Sequence, residues 1–330
     1  MVIPSKHARP RALITGLRGF TGEYLARELE ACGYQVFGTA YGNEPLGEGV
    51  HYVDLCDALA LQAVVDEVQP DIVAHLAAIS FVGHGNVEDI YRINVVGTRN
   101  LLEALSKLKT PPRSVLVASS ANIYGNSTAE VIKETEAPMP ANDYAISKMT
   151  MEHVARLWMD KLPIFITRPF NYTGLGQAEN FLLPKIVSHF KRGAKEIELG
   201  NLDVARDFSD VRNVVRAYRQ LLQLAPRGET FNICSGQAYT LREVIQMVEE
   251  LAAYQIEVKV NPAFVRANEV RKLVGDSRKL HATVGPLPHI PLQETLAWML
   301  GEHAVALKKN KGAKRAANKI EVLEVLEVLG

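Results

Sequence analysis

Over its first half, the chain alternates short, continuously apolar runs with longer segments of helical periodicity. A run that is apolar along its whole length is typical of a strand buried on both faces of a parallel sheet. The predicted strands are RALIT (11–15), YQVFGTA (34–40), VHYVDL (50–55), DIVAHLA (71–77), SVLVAS (114–119) and IFITR (164–168). Helical patterns lie between most of them, ending at residue 31 and then covering 57–68, 87–108 and 143–161. This alternation predicts an α/β, doubly wound parallel sheet.

The pattern becomes less regular after about residue 170, which predicts a smaller C-terminal lobe. Helical segments of this half lie near 181–192, 211–224, 240–253 and 291–306. We therefore expect a Rossmann-type domain over 10–170, with some later segments returning to it, and a second lobe over 171–305. The remainder, 306–330, is basic at first and then repeats the letters EVL, which is typical of a disordered tail.

Composition limits the classes of function. The 330 residues carry 37 Lys and Arg against 37 Asp and Glu, and zero net charge argues against nucleic acid as the main partner. There is no apolar run of about 18 residues that could cross a membrane, and the first residues lack a signal-peptide core. Three scattered cysteines suit a reducing cytoplasm, where we expect the protein to be. Nine histidines show no ligand-like clustering, so we expect no metal.

A glycine-rich turn, TGLRGFTG (15–22), follows the first strand and opens the first helix. In this context Gly16 permits a tight turn, Gly19 lets the backbone approach a pyrophosphate, and Gly22 allows close packing of helix on strand. The strand before it and the helix after it make this motif more specific than a lone glycine triplet. It predicts a dinucleotide cofactor, whose further contacts we expect at Arg18, Phe20, Asp54, Leu55, Ala77 and Ala78.

The end of the second strand indicates which dinucleotide is preferred. A site selective for NAD usually places an acidic residue there, bonded to the adenosine ribose. The segment TAYGN (39–43) has no carboxylate, whereas Arg18 lies in the glycine turn, where a guanidinium can pair with a 2′-phosphate. We therefore expect NADP(H) to be preferred, with NAD(H) possible. The alternative is that Arg18 is a solvated surface residue.

Two hydroxyls end the fifth predicted strand in VLVASSANIYGN (115–126), and NDYAISK follows downstream. On a helix, Tyr144 and Lys148 share one face, one turn apart. A phenol with a pKa of about 10 exchanges protons poorly at neutral pH, so we expect the Lys148 ammonium and an oxidised nicotinamide to lower that pKa. Ser120, with Ser119 beneath it, can bond the reacting oxygen of a substrate. The predicted catalytic residues are Ser120, Tyr144 and Lys148, and we also expect Tyr144 and Lys148 to contact the cofactor.

Taken together, these motifs resemble the extended short-chain dehydrogenase/reductases that act on nucleotide-activated sugars, over roughly residues 10–302. The resemblance places Ser120, Tyr144 and Lys148 at the catalytic positions of that family. The chain also looks related to the GDP-mannose 4,6-dehydratases, which carry an acidic residue two positions past the catalytic hydroxyl. Here that position is Asn122, and an amide cannot perform the proton transfer. The sequence therefore argues for a reductase or an epimerase.

The second half resembles the substrate segments of the GDP-sugar branch, in RPFNYTGLGQAENFLLPKI (168–186) and LGNLDVARDFSDVRNVVRAY (199–218). The resemblance is nearest to reductases that convert GDP-4-keto-6-deoxy-D-mannose to GDP-D-rhamnose with NAD(P)H. It implies that the second lobe binds the substrate, a GDP-linked 4-keto-6-deoxy sugar. The implied contacts are Asn122, Asn171, Asn180, Lys185, Arg206, Arg266 and Glu269.

Two other activities stay open. The pair Ala121-Asn122 is also compatible with epimerase-type strands, so a nucleotide-sugar 4-epimerase that retains NAD(H) is the main alternative. A GDP-mannose 4,6-dehydratase is the weaker one, and a non-enzymatic sensor on this fold usually lacks the tyrosine–lysine pair. Related enzymes commonly form homodimers through a four-helix contact. The resemblance places that contact at the helices near 87–108 and 143–161.

Overall fold

The computed structural model describes residues 8–42, 47–80, 86–264 and 270–303. The strands of this part of the chain are β1 (Arg11–Thr15), β2 (Gln35–Ala40), β3 (Val50–Tyr52), β4 (Ile72–His75), β5 (Ser114–Ala118), β6 (Ile164–Pro169), β7 (Asn171–Thr173), β8 (Glu196–Leu199), β9 (Ala205–Asp210), β10 (Thr230–Ile233), β11 (Ala238–Thr240), β12 (Glu257–Val260) and β13 (Lys272–Leu273).

The α-helices of the described residues are α1 (Phe20–Ala31), α2 (Ala58–Val68), α3 (Val87–Tyr91), α4 (Thr98–Ser106), α5 (Asp143–Arg156), α6 (Leu182–Lys191), α7 (Val211–Leu224), α8 (Leu241–Ala252), α9 (Arg278–Val284) and α10 (Leu292–Leu300). A π-helical turn, Arg92–Gly97, joins α3 to α4, and a short 3₁₀ turn, Ala121–Tyr124, follows β5. No helix within the described ranges is long and apolar enough to cross a membrane.

A seven-stranded sheet of parallel strands, in the order β10-β6-β5-β4-β1-β2-β3, organises the described residues. The chain runs outward from β1 to β3 and then continues on the other side of β1, from β4 to β10. This order confirms the predicted doubly wound Rossmann-type fold. The strand order reverses between β1 and β4, and ligands of such sheets bind at the carboxyl ends of the strands beside that point.

The central strands are apolar along their length because both faces of the sheet are covered. Leu13, Val73 and Val115 are each fully buried and belong to one core cluster, to which α4 contributes Leu101 and Leu105. Burying side chains of this size contributes about 1.5–3 kcal/mol each. The core therefore fixes the strand ends from which the candidate site residues extend.

Two compact units divide the chain, and each is interrupted in sequence. The described residues of the first unit are 8–42, 47–80, 86–172, 205–238 and 270–289, and those of the second are 173–204, 239–264 and 290–303. The helix predicted near 211–224 is α7, and it lies in the first unit against α1 rather than in the C-terminal lobe. The physical reason is that α7 precedes β10, which joins the sheet in parallel and therefore needs a helical crossover.

The second unit packs α6, α8 and α10 together and adds the parallel pair β8–β12. Its helices bury one apolar face each, as Ile186 of α6, Val248 of α8 and Leu296 of α10 show. Helix α8 begins with a capping box, in which the Thr240 hydroxyl accepts the Glu243 N–H and the Glu243 carboxylate accepts the Thr240 N–H.

Candidate active site

The glycine turn lies at the point where the strand order reverses. Gly16 has a φ of +71°, and a Cβ atom added there would lie 2.9 Å from the Ala77 Cα, beyond the end of β4. A Cβ atom added at Gly22 would lie 2.4 Å from the Gly16 carbonyl oxygen. Gly19 begins α1 without a side-chain cap, so the first N–H groups of this helix can bind an anion. These features fit the pyrophosphate of a dinucleotide.

The predicted cofactor contacts at Asp54, Leu55, Ala77 and Ala78 lie just after the ends of β3 and β4. The Asp54 carboxylate accepts a bond from the Cys56 N–H (2.9 Å) and one from Arg92 Nη1 (3.2 Å). The Cys56 bond is the largest cause that holds the pKa of Asp54 below its usual range. The Leu55 carbonyl accepts a bond from Asn100 Nδ2 at 3.0 Å. Ala77 and Ala78 are half-buried, so part of their surface is open to a ligand.

Arg18 and Phe20 flank the turn. Arg18 is exposed, and its Nη2 would lie 3.3 Å from a Cβ atom added at Gly47, just before β3. The guanidinium therefore reaches toward the β2–β3 connection, which carries no carboxylate at Tyr41 or Gly42 but has Glu48 shortly before β3. Phe20 stacks on Tyr172, with ring centroids 6.2 Å apart, and the Tyr172 hydroxyl bonds to Thr21 Oγ1 at 2.7 Å.

The predicted catalytic residues come from the end of β5 and the buried face of α5. Asn142 caps α5 by accepting the Ala145 N–H at 2.9 Å, so the helix begins at Asp143, one residue before Tyr144. Tyr144 and Lys148 are both buried, one turn apart. The Ser120 hydroxyl accepts the Asn122 N–H at 3.2 Å and is hydrogen-bonded to the Tyr144 phenol. The structure thus brings Ser120 and Tyr144 together.

The ionisation of this pair differs from the sequence-based expectation. Burial raises the pKa of Tyr144 to about 12, although the hydrogen bond from Ser120 acts in the opposite direction. Burial also lowers the pKa of Lys148 to about 7, and the nearby Glu152 carboxylate opposes that shift. Desolvation of the phenol dominates in this structure, where Lys148 Nζ donates to the Ala118 carbonyl (2.8 Å). That Lys148 and an oxidised nicotinamide lower the pKa of Tyr144 once the cofactor is bound stays a prediction.

Three predicted substrate contacts lie in the first unit. Asn122 is half-buried, just past the Ser120 hydroxyl. Asn171 Nδ2 is buried and has no hydrogen-bond partner among the described residues, as expected of a group that awaits a ligand. Arg206 Nη1 donates to the carbonyls of Ala205 (2.9 Å) and Arg271 (3.3 Å).

The other four predicted substrate contacts are placed differently. Asn180 and Lys185 belong to the second unit, where Asn180 is exposed. Lys185 Nζ donates to the Glu198 carbonyl at 2.8 Å and lies 4.5 Å from the centroid of the Phe264 ring. Arg266 and Glu269 lie outside the described residues, as does the tail predicted over 306–330.

Sequence reasoning missed a set of buried polar residues behind the site. Asn94, Thr98 and Ser147 are fully buried, and His75 is 1% exposed. The available signal was His75 itself, a polar residue inside the apolar run DIVAHLA. A buried polar side chain requires hydrogen-bond partners, so its position in a central strand indicates a network.

A strand, a glycine turn and a helix, followed in chain order by a Ser120–Tyr144 pair and Lys148, define a short-chain dehydrogenase/reductase. Comparison with known proteins gives the family. The sequence pattern described as GDP-mannose 4,6 dehydratase matches residues 13–299. The chain therefore belongs to the GDP-mannose 4,6-dehydratase family of extended short-chain dehydrogenase/reductases, and the predicted class, an NAD(P)-dependent oxidoreductase, is confirmed.

Two relatives are named for activities on GDP-linked deoxy sugars. The chain is 37% identical over 278 residues to a GDP-6-deoxy-D-talose 4-dehydrogenase of Aggregatibacter actinomycetemcomitans, covering 83% of this chain and 91% of that protein. It is 33% identical over 303 residues to a GDP-6-deoxy-D-mannose reductase of Pseudomonas aeruginosa, covering 88% of this chain and 96% of that protein.

Two solved structures share the fold. A protein of Burkholderia cenocepacia J2315, described as a candidate epimerase, is 53% identical with a TM-score of 0.85, covering 91% of this chain and all of that one (100%). RMD from Pseudomonas aeruginosa, solved with NADPH, is 30% identical with a TM-score of 0.78, covering 89% of this chain and 99% of that one.

Proposed function

We propose that this chain reduces the C4 keto group of GDP-4-keto-6-deoxy-D-mannose with NADPH and forms GDP-D-rhamnose. The observation that carries the proposal is the hydrogen-bonded Ser120–Tyr144 pair beside Lys148, with a neutral amide at Asn122. This set can donate a proton to a carbonyl oxygen, but it provides no base at position 122. The reductase of Pseudomonas aeruginosa supports the same reaction by its name.

The chain's own residues would supply the proton and the orientation of the ketone. A pKa of about 12 keeps the Tyr144 phenol protonated at neutral pH, so it can donate its proton to the C4 oxygen. The Ser120 hydroxyl, bonded to the same phenol, would hold that oxygen and stabilise its developing charge. Lys148 would compensate the negative charge left on Tyr144. A bound nicotinamide cofactor supplies the hydride that the C4 carbon receives.

Asn122 separates this proposal from the reaction after which the family is named. A 4,6-dehydratase must remove the C5 proton and then assist the loss of water, and both steps need a group that titrates. The half-buried amide of Asn122 can bond sugar hydroxyls without titrating. We therefore favour ketoreduction over dehydration for this chain.

NADP(H) is the cofactor that we propose. Arg18 extends toward the β2–β3 connection, where a 2′-phosphate would lie. The residues that directly follow β2, Tyr41 and Gly42, carry no carboxylate, while Glu48 lies at the other end of the connection, before β3. The structural neighbour RMD binds NADPH. NAD(H) use is the alternative, and the two cofactors are compared by experiment below.

Two of the comparisons favour other activities for this chain. Removing hydrogen from C4 of GDP-6-deoxy-D-talose gives the same ketosugar that precedes GDP-D-rhamnose, since the two products differ only at C4. The relative named for that talose sugar is 37% identical to this chain. The structure from Burkholderia cenocepacia, described as a candidate epimerase, is 53% identical. A reductase that delivers hydride to the opposite face and a 4-epimerase are therefore the alternatives.

One assay distinguishes the three. Purified protein is mixed with NADPH and GDP-4-keto-6-deoxy-D-mannose, the absorbance of NADPH is followed, and the sugar product is identified by proton NMR. NADPH oxidation with a large H3–H4 coupling indicates GDP-D-rhamnose, whereas a small coupling indicates GDP-6-deoxy-D-talose. An unconsumed ketosugar, together with NAD(H) released only on denaturing the protein, would overturn the reductase and support the epimerase. Tyr144→Phe protein prepared identically controls for contaminating reductases.

A further inference from the structure

Four buried polar residues form a chain of hydrogen bonds behind the glycine turn. Thr15 ends β1, His75 ends β4, Asn94 lies in the π-helical turn, and Thr98 begins α4. Thr15 Oγ1 lies 2.7 Å from His75 Nδ1, and His75 Nε2 lies 2.7 Å from Thr98 Oγ1. Thr15, Asn94 and Thr98 have no exposed surface, and His75 is 1% exposed. Because water does not reach these groups, each needs a protein partner.

The partners at the two ends of this chain determine the direction of every bond. The Thr98 hydroxyl donates to the Asn94 carbonyl at 2.7 Å, so its single hydrogen is used. Thr98 Oγ1 must then accept from His75, which places the ring hydrogen on Nε2. His75 Nδ1 is consequently an acceptor and receives the Thr15 hydroxyl hydrogen. Thr15 Oγ1 in turn accepts the Ala77 N–H at 3.2 Å.

A charged His75 would not satisfy this chain. With hydrogens on both ring nitrogens, Thr15 Oγ1 would receive two N–H donors, and its own hydrogen would lose its partner. The charged group that acts on the imidazole is Lys148 of α5, and its ammonium disfavours a second positive charge nearby. Burial is the larger cause, and the two together lower the pKa of His75 to about 3. The neutral ring is therefore the form that the fold accommodates.

The same chain reaches the catalytic helix. Asn94 Oδ1 accepts the Ile79 N–H at 2.9 Å, while Asn94 Nδ2 donates to the Ile79 carbonyl (3.2 Å) and to Ser147 Oγ (3.0 Å). Ser147 donates onward to the Tyr144 carbonyl at 2.8 Å. The backbone of residues 77–79 is thus bonded at Ala77 through Thr15 and at Ile79 through Asn94.

We propose that His75, as the neutral tautomer with hydrogen on Nε2, is a positioning residue that holds the backbone of residues 77–79 against the glycine turn and thereby sets the affinity for the dinucleotide. The approach is close, because a Cβ atom at Gly16 would lie 2.9 Å from the Ala77 Cα. A loop that moves by a few tenths of an ångström would change the surface offered to a pyrophosphate. The inference rests on the proposed cofactor site, and its first test does not depend on that site.

The tautomer is read directly from histidine-labelled protein. Long-range proton–nitrogen NMR spectra of the full chain, labelled with ¹⁵N-histidine, are compared with those of His75→Gln to assign the ring of His75. We expect the Nε2–H pattern and no change between pH 8 and pH 5. An Nδ1–H pattern, or a resonance that titrates across this range, would overturn the proposed bonding, whether or not the protein reduces any sugar.

The positioning role is tested by a matched pair of threonine variants. Thr98→Val removes the acceptor of the His75 Nε2–H, whereas Thr150→Val removes a hydroxyl that likewise bonds the carbonyl four residues earlier, Ile146 O at 2.9 Å. We expect Thr98→Val to raise the Kd for NADPH, measured by quenching of protein fluorescence, about tenfold, because a buried donor is left unpaired. The Kd of Thr150→Val for NADPH should stay within about twofold of that of the parent, because the bond that it removes is exposed and leaves no buried donor unpaired.

The two proposals fail differently. If both variants bind NADPH like the parent, and the parent reduces the ketosugar, the positioning role is wrong and the proposed function stands. If the parent binds neither NADPH nor NADH, the proposed function fails as well. Should Thr98→Val not fold, Thr15→Val at the other end of the chain is measured instead, with the same expectation. Unchanged far-UV circular dichroism of the variant used shows that its affinity reports the site.

Discussion

Burial of Tyr144 suits its phenol to donating a proton rather than accepting one. The phenol is 7% exposed, and burial raises its pKa to about 12, so a proton is available across the neutral range. The Ser120 hydroxyl orients that phenol and can share the oxygen it protonates. Reduction of a ketone consumes this proton. In the reverse, oxidative direction the phenol must first be deprotonated.

Tyr144→Phe should therefore lower kcat by a factor of about 10² to 10⁴, the range that a positioned proton donor contributes. The Kd for NADPH should change little, since the ring itself remains. Stopped-flow or steady-state NADPH oxidation measures the first effect, and fluorescence quenching measures the second. Tyr91→Phe, which removes a hydroxyl bonded to Asp143 at 3.0 Å, is the control. A Tyr144→Phe enzyme with parental kcat would remove Tyr144 from the mechanism.

The buried Lys148 leads us to expect that the rate of ketosugar reduction depends on pH. Burial lowers its pKa to about 7, so its ammonium is lost at a lower pH than that of an exposed lysine. The ammonium would compensate the charge left on Tyr144, so kcat/KM for ketosugar reduction should fall as pH rises through about 7. In Lys148→Met the residual activity should lack this decline, while Lys161→Met on the surface should keep it. A parental profile that is flat up to pH 9 would contradict this role of Lys148.

We expect Arg18 to determine the preference for NADPH over NADH. If its guanidinium pairs with a 2′-phosphate, Arg18→Ala should lower the ratio of kcat/KM for NADPH to that for NADH by about tenfold or more, the loss expected for a charge-assisted contact. Arg27→Ala removes an exposed arginine of α1, the helix that follows the glycine turn, which pairs with Glu23, and it serves as the control. Equal ratios in the parent and Arg18→Ala would show that Arg18 is only a solvated residue.

How far the site was predictable from sequence differs between residues. Gly16, Ser120 and Tyr144 were found because spacing along the chain determines their local geometry, in a strand-to-helix turn and on a helix face. His75 and Asn94 were missed because their role depends on bonds between β1, β4, the π-helical turn and α5. The effect of burial on the pKa of Tyr144 was missed for the same reason, since burial is a property of the packed fold rather than of a four-residue interval.

At the scale of elements, the strands were predicted closely and the long helices less so. The six predicted strands correspond to β1–β6, while β3 ends at Tyr52, before the Asp54 that the pattern included. The single helix predicted over 87–108 is instead α3, a π-helical turn and α4. An insertion of this kind leaves the apolar period of the flanking turns intact, so the sequence pattern does not reveal it. It often marks a functional region, and here it carries Asn94.

Helices α3, α4 and α5 bear on the predicted homodimer. Several apolar residues on or beside these helices are exposed in the single chain, including Val96 (45%), Ile146 (36%) and Leu157 (79%). If a second copy covers them, the double variant Val96→Glu with Ile146→Glu should be monomeric in light scattering while the parent is a dimer. Leu224→Glu, at an exposed position (56%) at the end of α7, is the control and should remain dimeric. A monomeric parent would contradict the dimer.

At the scale of the whole molecule, the sequence showed a doubly wound domain and a second lobe but not how the chain passes between the two units. Some segments after residue 170 were expected to return to the first domain, but the sequence did not give their bounds, which are 205–238 and 270–289 among the described residues. The strand by which the chain rejoins the seven-stranded sheet, Thr230–Ile233, is only four residues long. A short apolar run after a helix does not reveal which sheet it joins, because that depends on long-range pairing with β6.

The whole-molecule claim is that this chain transfers hydride to C4 of a GDP-linked 4-keto-6-deoxy sugar. The most direct measurement is incubation of GDP-4-keto-6-deoxy-D-mannose with NADPH deuterated at nicotinamide C4, separately on each face, followed by NMR of the sugar. We predict deuterium at C4 of the product from one of the two labelled cofactors, and none at C3 or C5. A product without deuterium at C4 from either cofactor would contradict the proposed reduction.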